Sequence, residues 1–180
     1  MEPIIATNVL GYLQGITQLT RETHHQNPPW PYTSIEEFVL KNGRHFLWQP
    51  LPKGIQFGKY KECFYNAFQL ASRYHKFIYV EGYALFILPM FHAWCIMEDG
   101  TIVDPTWREQ HNHNPEPEYY GVPFSLDYVL KTVGGRKRYG VIDNWEHHFP
   151  LLSGRDTNFL SQRIIAPWQQ PLQPNLGEHE

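Results

Sequence analysis

The feature that most constrains the fold of this chain is a short polar loop, residues 98–100, between two apolar segments. Apolar segments that flank an Asp-Gly pair are typical of a β-hairpin. A two-residue loop would place His92 and Asp104 on opposite faces of the hairpin. A three-residue loop, with Gly100 in the left-handed conformation, places Trp94 opposite Asp104 and His92 diagonally from it on the same face. We predict the three-residue loop.

A helix is predicted upstream of the hairpin, because residues 59–76 contain no glycine or proline and carry apolar residues at helical spacing. Cys63 lies near the start of this helix. The unpaired backbone N–H groups and the positive end of the helix dipole favour the thiolate form of a cysteine there. The second cysteine, Cys95, alternates away from His92 along the strand, and we expect it to be buried and unreactive.

Cys63, His92 and Asp104 are the residue types of a thiol nucleophile, its base and the carboxylate that orients the base. Each type also has an ordinary structural role. A helical cysteine is commonly a core residue, a histidine beside aromatic residues can be a hydrogen-bonded core residue, and an aspartate before proline can cap a turn. Their joint occurrence on compatible predicted elements favours a catalytic triad.

Local motifs surround two of these residues, namely His92-Ala93-Trp94 and Asp104-Pro105-Thr106. Their order after a cysteine at a helix start resembles transglutaminase-like domains of the papain-like cysteine peptidase superfamily. The resemblance covers residues 61–107, about a quarter of the chain. It implies an α+β fold with N-terminal helices packed on an antiparallel sheet. It also implies that Cys63 is the nucleophile, the histidine the base and the aspartate the orienting acid.

The chain departs from that family in two places. The family often carries a glycine and an alanine shortly after the cysteine, whereas here the comparable Glu81-Gly82-Tyr83-Ala84 lies well downstream on a separate predicted strand. The hairpin between His92 and Asp104 is also tighter than in the family. The resemblance is therefore to a divergent member, and the substrates of the family do not transfer to this chain.

Three further residues are predicted to complete the site. An acyl-transfer site needs hydrogen-bond donors for the oxyanion, and the backbone N–H of Cys63 is one candidate. The side chain of Gln56, seven residues earlier, resembles the papain-type glutamine and is a candidate for the second donor. Asn66, one turn after Cys63, would face the site or hydrogen-bond within the helix. Trp94 would shield the His–Asp pair from water or serve only as core.

The remaining segments give a coarser pattern, and residues 1–33 show no clear periodicity. We predict, in order, a helix from Ser34 to Gly43, a strand at 77–80, a second strand ending at Leu88, a strand at 119–124, a helix at 125–133 and a strand or extended segment at 139–143. Pro123 assigns the strand at 119–124 to a sheet edge, since proline donates no ladder hydrogen bond. We expect one domain over 1–180, with a core at about 34–150 and a mobile tail at 170–180.

Composition excludes several classes of function. The formal net charge is -3 without a long basic run, so no nucleic-acid partner is expected. No apolar run is long enough to cross a bilayer, no signal peptide is recognisable, and two cysteines are too few for a disulfide framework. We therefore predict a cytoplasmic protein without membrane association. The histidines of His24-His25 and of His111-Asn112-His113 are better explained as loop residues than as metal ligands, and no cofactor is predicted.

These observations predict a thiol-dependent hydrolase or acyltransferase that acts on an amide, ester or thioester carbonyl of a protein, peptide or small substrate. Two alternatives stay open. One is a non-catalytic peptide- or glycan-binding module on the same fold. The other is a zinc site in which Cys63, His92 and Asp104 bind the ion together with water. The position of Cys63 at a helix start and the lack of a fourth ligand favour thiol chemistry.

Overall fold

The computed structural model describes residues 8–23, 30–108, 116–136 and 138–164, and the structural statements below concern those residues. They form an α+β architecture of four α-helices and a curled five-stranded antiparallel sheet. The helices are α1 (Val9–Thr23), α2 (Ile35–Asn42), α3 (Cys63–Arg73) and α4 (Leu126–Val133). The strands are β1 (Arg44–Leu47), β2 (Ile78–Leu85), β3 (Pro89–Ile96), β4 (Ile102–Val103) and β5 (Glu118–Phe124). A 3₁₀ turn spans Trp145–His147.

The strands are ordered β1-β5-β2-β3-β4, with every neighbouring pair antiparallel. The two faces of the sheet bury different clusters. All four helices contribute to the larger cluster, in which Ala67 and Ala71 of α3 lie with Ala93 and Cys95 of β3. The small side chains bring α3 close to β3. This packing fixes the start of α3 beside the strand that carries His92.

The opposite face of the sheet buries a smaller, aromatic cluster. Phe46, Trp94 and Tyr119 belong to it, and Trp48 and Phe86 pack against it. Because side chains alternate along a strand, His92 and Trp94 point to the same face of β3. The histidine is therefore held on the aromatic face of the sheet.

The hairpin has the predicted three-residue loop. Cys95 pairs with Val103, a register that sets Trp94 opposite Asp104. The N–H of Met97 donates to the carbonyl of Thr101 over 2.9 Å. Gly100 has φ +88°, the left-handed conformation expected there. The sequence-based prediction that His92 and Asp104 share a face is confirmed.

Two predicted helices are confirmed with their caps. The hydroxyl of Ser34 accepts from the N–H of Glu37 at the start of α2. The hydroxyl of Ser125 accepts from the N–H of Tyr128 at the start of α4, which ends at Gly134. Cys63 is the first residue of α3, so its predicted position at a helix start is also confirmed, although the helix begins four residues later than the glycine-free segment.

Helix α1 was not anticipated by the sequence analysis. Its start is held by Asn8, whose side chain accepts from the N–H of Gly11, and by Glu118 of β5, which accepts from the N–H of Val9 over 3.0 Å. Only Val9, Leu13 and Thr17 are buried, one residue per turn. Such a narrow stripe gives a weak periodic signal, and the contact with Glu118 spans most of the chain.

The two strands predicted between Phe77 and Leu88 are a single strand, β2. Gly82 lies within this strand, opposite Gly121 of β5. A Cβ at Gly82 would stand 2.2 Å from the carbonyl oxygen of Tyr120. Glycine therefore permits a close approach of two backbones in the middle of the sheet.

The assignment of 119–124 to a sheet edge is wrong, because β5 lies between β1 and β2. The carbonyl of Pro123 accepts from the N–H of Ser161, on the side away from β2 and beyond the end of β1. The proline nitrogen points the same way, so that β5 loses no hydrogen bond to β2. A central strand tolerates proline here because β1 pairs only with residues 118–121.

Residues 139–143 are not a strand; they form a bent segment that contacts the buried Glu81. The predicted tail at 170–180 and the histidines at 24–25 and 111–113 lie outside the described residues. Across the described ranges, no helix combines the length and the apolar character needed to cross a membrane.

Candidate active site

Cys63 opens α3 and is partly buried. Two residues before it, Lys61 adopts the left-handed conformation with φ 62°, which turns the chain sharply into the helix. The residue that precedes the helix, Glu62, makes no side-chain cap hydrogen bond. The side chain of Glu62 therefore does not occupy the first N–H groups of α3.

His92 contacts Asp104 through Nε2, which lies 2.7 Å from Oδ2 of the carboxylate. The two residues are buried, 4% and 7% exposed. Three other donors bind the same carboxylate. The hydroxyl of Tyr119 donates to Oδ2 over 3.0 Å, and the N–H groups of Thr106 and Trp107 donate to Oδ1 over 2.8 and 3.2 Å. Asp104 is thereby fixed from the strand β5 and from its own turn.

The electrostatics of the pair favour its charged form. Burial by itself would raise the pKa of Asp104, but the charge of His92, its hydrogen bond and the two backbone N–H groups together lower it. Burial would likewise lower the pKa of His92, but the charge and hydrogen bond of Asp104, followed by contact with Cys63, raise it. Each member of the pair therefore favours the charged form of the other.

The side chain of Cys63 lies near the same imidazole and contributes to the raised pKa of His92. Because Nε2 is bonded to Asp104, Nδ1 is the ring nitrogen left for the thiol. The structure thus brings Cys63, His92 and Asp104 together in the order nucleophile, imidazole and carboxylate.

Aromatic rings cover the His–Asp pair. Trp94 is fully buried and lies parallel to the His92 ring, with centroids 6.0 Å apart. Phe86 meets the same ring edge-on at 6.4 Å and stacks on Trp107. The predicted position of Trp94 next to the pair is thus observed. A dry aromatic surrounding strengthens the charge pairing, because little water screens it.

A cavity of about 280 Å³ opens at Cys63. Its walls are aromatic, from Phe64, Phe91 and Tyr139, and its rim carries charges of both signs. The lining groups that bear charge are Lys61, Glu62, Arg138 and Asp143. The sulfur therefore faces an accessible space in which a substrate carbonyl can be placed.

Gln56 and Asn66 were both predicted near the oxyanion. Gln56 is exposed and lines a different cavity, next to the one at Cys63. Asn66 is buried, and its amide nitrogen donates to the carbonyl of Lys59 over 2.7 Å and to the hydroxyl of Thr106 over 2.9 Å. Its oxygen accepts from the N–H of Lys59. Both amide hydrogens of Asn66 are in use, which corresponds to the structural role considered for it.

Two residues of the site escaped the sequence analysis. Tyr119 holds Asp104 from a strand distant in the sequence, and its only signal was its position in a predicted strand. Glu81 is completely buried and accepts from the hydroxyl of Tyr79 over 2.6 Å and from the N–H groups of Val141 and Ile142 over 2.6 and 2.9 Å. It fixes the segment that supplies Tyr139 to the Cys63 cavity. An acidic residue inside an apolar strand was the available signal.

The zinc alternative has little support in this geometry. Nε2 of His92 is bonded to Oδ2 of Asp104. Among the described residues, no group of three or more His, Cys, Asp or Glu side chains is arranged to hold a metal ion.

Cys95 contrasts with Cys63 in its environment. It is fully buried, its thiol donates to the carbonyl of Ala67 over 3.3 Å, and burial strongly raises its pKa. The expectation that Cys95 is buried is confirmed, and its environment disfavours the thiolate.

Comparison of the chain with models of protein families, with curated proteins and with solved structures gives no match. The interpretation of the site therefore depends on its own geometry.

Proposed function

We propose that the protein is a thiol-dependent acyl-transfer enzyme, a hydrolase or acyltransferase, that acts on the amide, ester or thioester carbonyl of a protein, peptide or small substrate. The observation that supports this proposal is that His92 contacts Asp104 over 2.7 Å and that Cys63, at the start of α3, lies near enough to help raise the pKa of His92. Such a relay supplies a nucleophile, a proton acceptor and a group that fixes the imidazole. We also place the fold with papain- and transglutaminase-like proteins, on the resemblance of residues 61–107.

In the proposed reaction the thiol proton already lies on Nδ1 of His92 before the substrate binds, and the sulfur attacks the carbonyl carbon of the substrate as a thiolate beside the imidazolium. The carbonyl π electrons move to oxygen and form an oxyanion, which the N–H of Cys63 at the start of α3 is placed to bind. The tetrahedral intermediate collapses, and the imidazolium gives its proton to the departing amine, alcohol or thiol. A thioester between Cys63 and the acyl group remains.

A second substrate resolves that thioester. Water or an amine gives a proton to His92 as it attacks the thioester carbonyl, and the sulfur of Cys63 then leaves as a thiolate beside the imidazolium while the acyl product is released. Asp104 stays ionised throughout and keeps Nε2 bonded, so that Nδ1 always faces the sulfur. Water gives hydrolysis or deamidation, and an amine gives transamidation.

Alkylation of Cys63 by iodoacetamide, followed over pH by mass spectrometry, tests the proposal. A free thiol is only about 0.3% thiolate at pH 6, so its labelling nearly stops there. We expect labelling of Cys63 at pH 6 to be at least about tenfold faster than that of an unactivated thiol, and to slow by a similar factor in His92→Ala. Cys95, which is buried, serves as an internal check that the protein stays folded during labelling.

Asp104→Asn provides a milder variant if His92→Ala does not fold, because it keeps the side-chain shape while removing the charge. It too should slow labelling at pH 6. Ordinary pH dependence at Cys63 in the wild type, unchanged in folded variants, would contradict the proposal. That result would favour a binding module without thiol chemistry.

A further inference from the structure

A second cavity, of about 480 Å³, lies beside the one at Cys63. It is formed by the loop at 56–59, by residues of α3 and by Pro105. Tyr65 lines both cavities, so its ring stands between the two spaces. A substrate whose carbonyl lies at Cys63 would reach the larger cavity by passing this ring.

The walls of this larger cavity are built together with the catalytic turn. Gly58 donates its N–H to the carbonyl of Pro105 over 2.7 Å, and Pro105 directly follows Asp104. Asn66 joins the loop at Lys59 to the hydroxyl of Thr106. A Cβ at Gly58 would lie 2.3 Å from the Asn66 amide oxygen, so the loop is seated tightly on α3. The cavity is thus a fixed part of the site and not a gap under a loose loop.

The charged side chains that line the larger cavity are all positive. Lys59 and Arg73 line it, together with the side-chain amides of Gln56 and Gln69, and no carboxylate is among the described residues of its wall. The chain as a whole carries a net charge of -3, so the positive charge of this cavity does not simply follow from the overall composition. The cavity at Cys63, in contrast, includes Glu62 and Asp143.

The two cations differ in how they are held. The ammonium group of Lys59 lies 4.6 Å from the centroid of the Tyr65 ring, which places it at the junction between the cavities. Arg73 ends α3 and offers the planar fork of donors that matches a carboxylate. Amide side chains on the same wall add neutral donors.

We propose that the cavity lined by Lys59 and Arg73 binds a carboxylate of the substrate, so that the enzyme acts on acyl compounds that carry a carboxylate on the part that extends beyond Tyr65. This inference rests on the proposed function, since it takes Cys63 as the reacting group. It assigns Gln56 and Gln69 to substrate binding as neutral donors beside the two cations.

Two matched alkylating probes test the inference, 4-(bromoacetamido)butanoate and its neutral counterpart 4-(bromoacetamido)butanamide. The rate constant for alkylation of Cys63 is measured for both at low and high salt, with shorter and longer homologues to vary the reach. We expect the carboxylate probe to react about fivefold or more faster than the amide probe in the wild type. Salt should reduce that ratio, because the charges are exposed.

The variants Lys59→Met and Arg73→Met should each lower the ratio of the two rates, and the double variant should bring it close to one. Lys76→Met is the matched control, because Lys76 is an exposed cation just beyond α3 that lines neither cavity. It should leave the ratio at the wild-type value. Both cavity variants replace exposed side chains, so the fold is expected to persist.

The ratio and the absolute rates answer different questions. Both probes react with the same sulfur, so activation of Cys63 by His92 raises both rate constants by the same factor. It therefore changes the absolute rates but not their ratio. If Cys63 is no more reactive than an ordinary thiol but still prefers the carboxylate probe, the proposed function is refuted. The inference that the larger cavity binds a carboxylate would still stand. A ratio near one at every probe length, or a high ratio that persists in the double variant, would overturn the inference about the cavity.

Discussion

Tyr119 donates its hydroxyl to the carboxylate oxygen of Asp104 that also contacts His92, over 3.0 Å. The tyrosine belongs to β5 and the aspartate follows β4, so the bond crosses the aromatic face of the sheet. The hydroxyl is buried beside an ionised carboxylate, and burial together with that negative charge raises the pKa of Tyr119 well above its usual value. The tyrosine therefore acts as a fixed donor that helps to keep Asp104 ionised and in place.

Removing that donor in Tyr119→Phe should weaken the relay without breaking it. Asp104 retains His92 and two backbone N–H groups. A hydrogen bond to a charged group contributes about 1.5–3 kcal/mol to stability. Part of this free energy keeps Asp104 in place, so that its loss should allow the His92 ring to move out of its orientation. We expect labelling of Cys63 by iodoacetamide at pH 6 to slow about fivefold.

Tyr120→Phe is the control for this variant. It removes the same atom from the neighbouring residue, whose hydroxyl donates to the carbonyl of Leu40 on the other face of the sheet. Its labelling rate should match that of the wild type. Equal labelling rates in both variants would show that Tyr119 does not position the relay.

Gln56 and Asn66 are expected to differ in what they do for the reaction. Acylation by p-nitrophenyl acetate passes through an oxyanion, whereas alkylation by iodoacetamide does not. Because Gln56 lines the larger cavity and not the one at Cys63, we expect Gln56→Ala to leave both reactions nearly unchanged. A loss of about 100-fold in acylation alone would instead assign the oxyanion role to Gln56. An equal effect on both reactions would remove Gln56 from the oxyanion site.

Asn66→Ala, in contrast, should act on stability. It removes three partly buried hydrogen bonds that join the loop at Lys59 to Thr106. We expect the free energy of unfolding in urea to fall by about 2–3 kcal/mol, with acylation and alkylation slowed in parallel. A selective loss of acylation in a stable Asn66→Ala protein would instead assign the oxyanion role to Asn66.

The parts of the site that could be predicted from the sequence depend on local patterns. The loop at 98–100 sets the hairpin register within a few residues, and the glycine-free segment sets the helix that Cys63 opens. The caps at Ser34 and Ser125 act on their own helices in the same way. Each of these features is decided by neighbours in the sequence, so periodicity and turn chemistry are sufficient.

The parts that could not be predicted depend on partners far away in the chain. Tyr119 contacts Asp104 only because β5 returns beside β2, and Glu81 meets the N–H groups of Val141 and Ile142 across 60 and 61 positions. The error at Pro123 has the same origin, since a proline is harmful in a strand only where its nitrogen faces a partner. The contacts of Tyr119 and Glu81 and the position of Pro123 all depend on the order of the strands in the sheet. Local sequence patterns do not specify that order.

The close approach at the centre of the sheet predicts a large cost for Gly82→Ala. The added methyl would overlap the backbone of Tyr120 and Gly121, at 2.2 and 2.4 Å, and neither atom is the end of a flexible side chain. We expect the free energy of unfolding to fall by about 3 kcal/mol or more. Gly140→Ala is the control, because its nearest neighbour would be a ring atom of Phe64 at 3.6 Å. A similar loss in both variants would contradict the steric explanation.

Glu81 predicts how stability depends on pH. Burial is the main influence on this carboxyl and raises its pKa to about 7, although the hydroxyl of Tyr79 and the N–H groups of Ile142 and Val141 lower it. In the unfolded chain the pKa is near the ordinary value of about 4.3. The folded state therefore binds more protons than the unfolded state between pH 4.5 and 7. Stability from protonated Glu81 is full below about pH 4.5 and is lost as pH rises through 7.

The difference between the wild type and Glu81→Gln isolates this contribution, because other groups titrate alike in both proteins. Glutamine resembles the protonated acid in shape and charge. The wild type should lose about 3 kcal/mol of unfolding free energy relative to the variant between pH 4.5 and 8, measured by urea unfolding at several pH values. A wild-type stability that rises relative to Glu81→Gln over this range would mean that the three donors keep Glu81 ionised despite its burial. The segment that carries Tyr139 to the Cys63 cavity would then be held by charge and not by a neutral hydrogen-bonded acid.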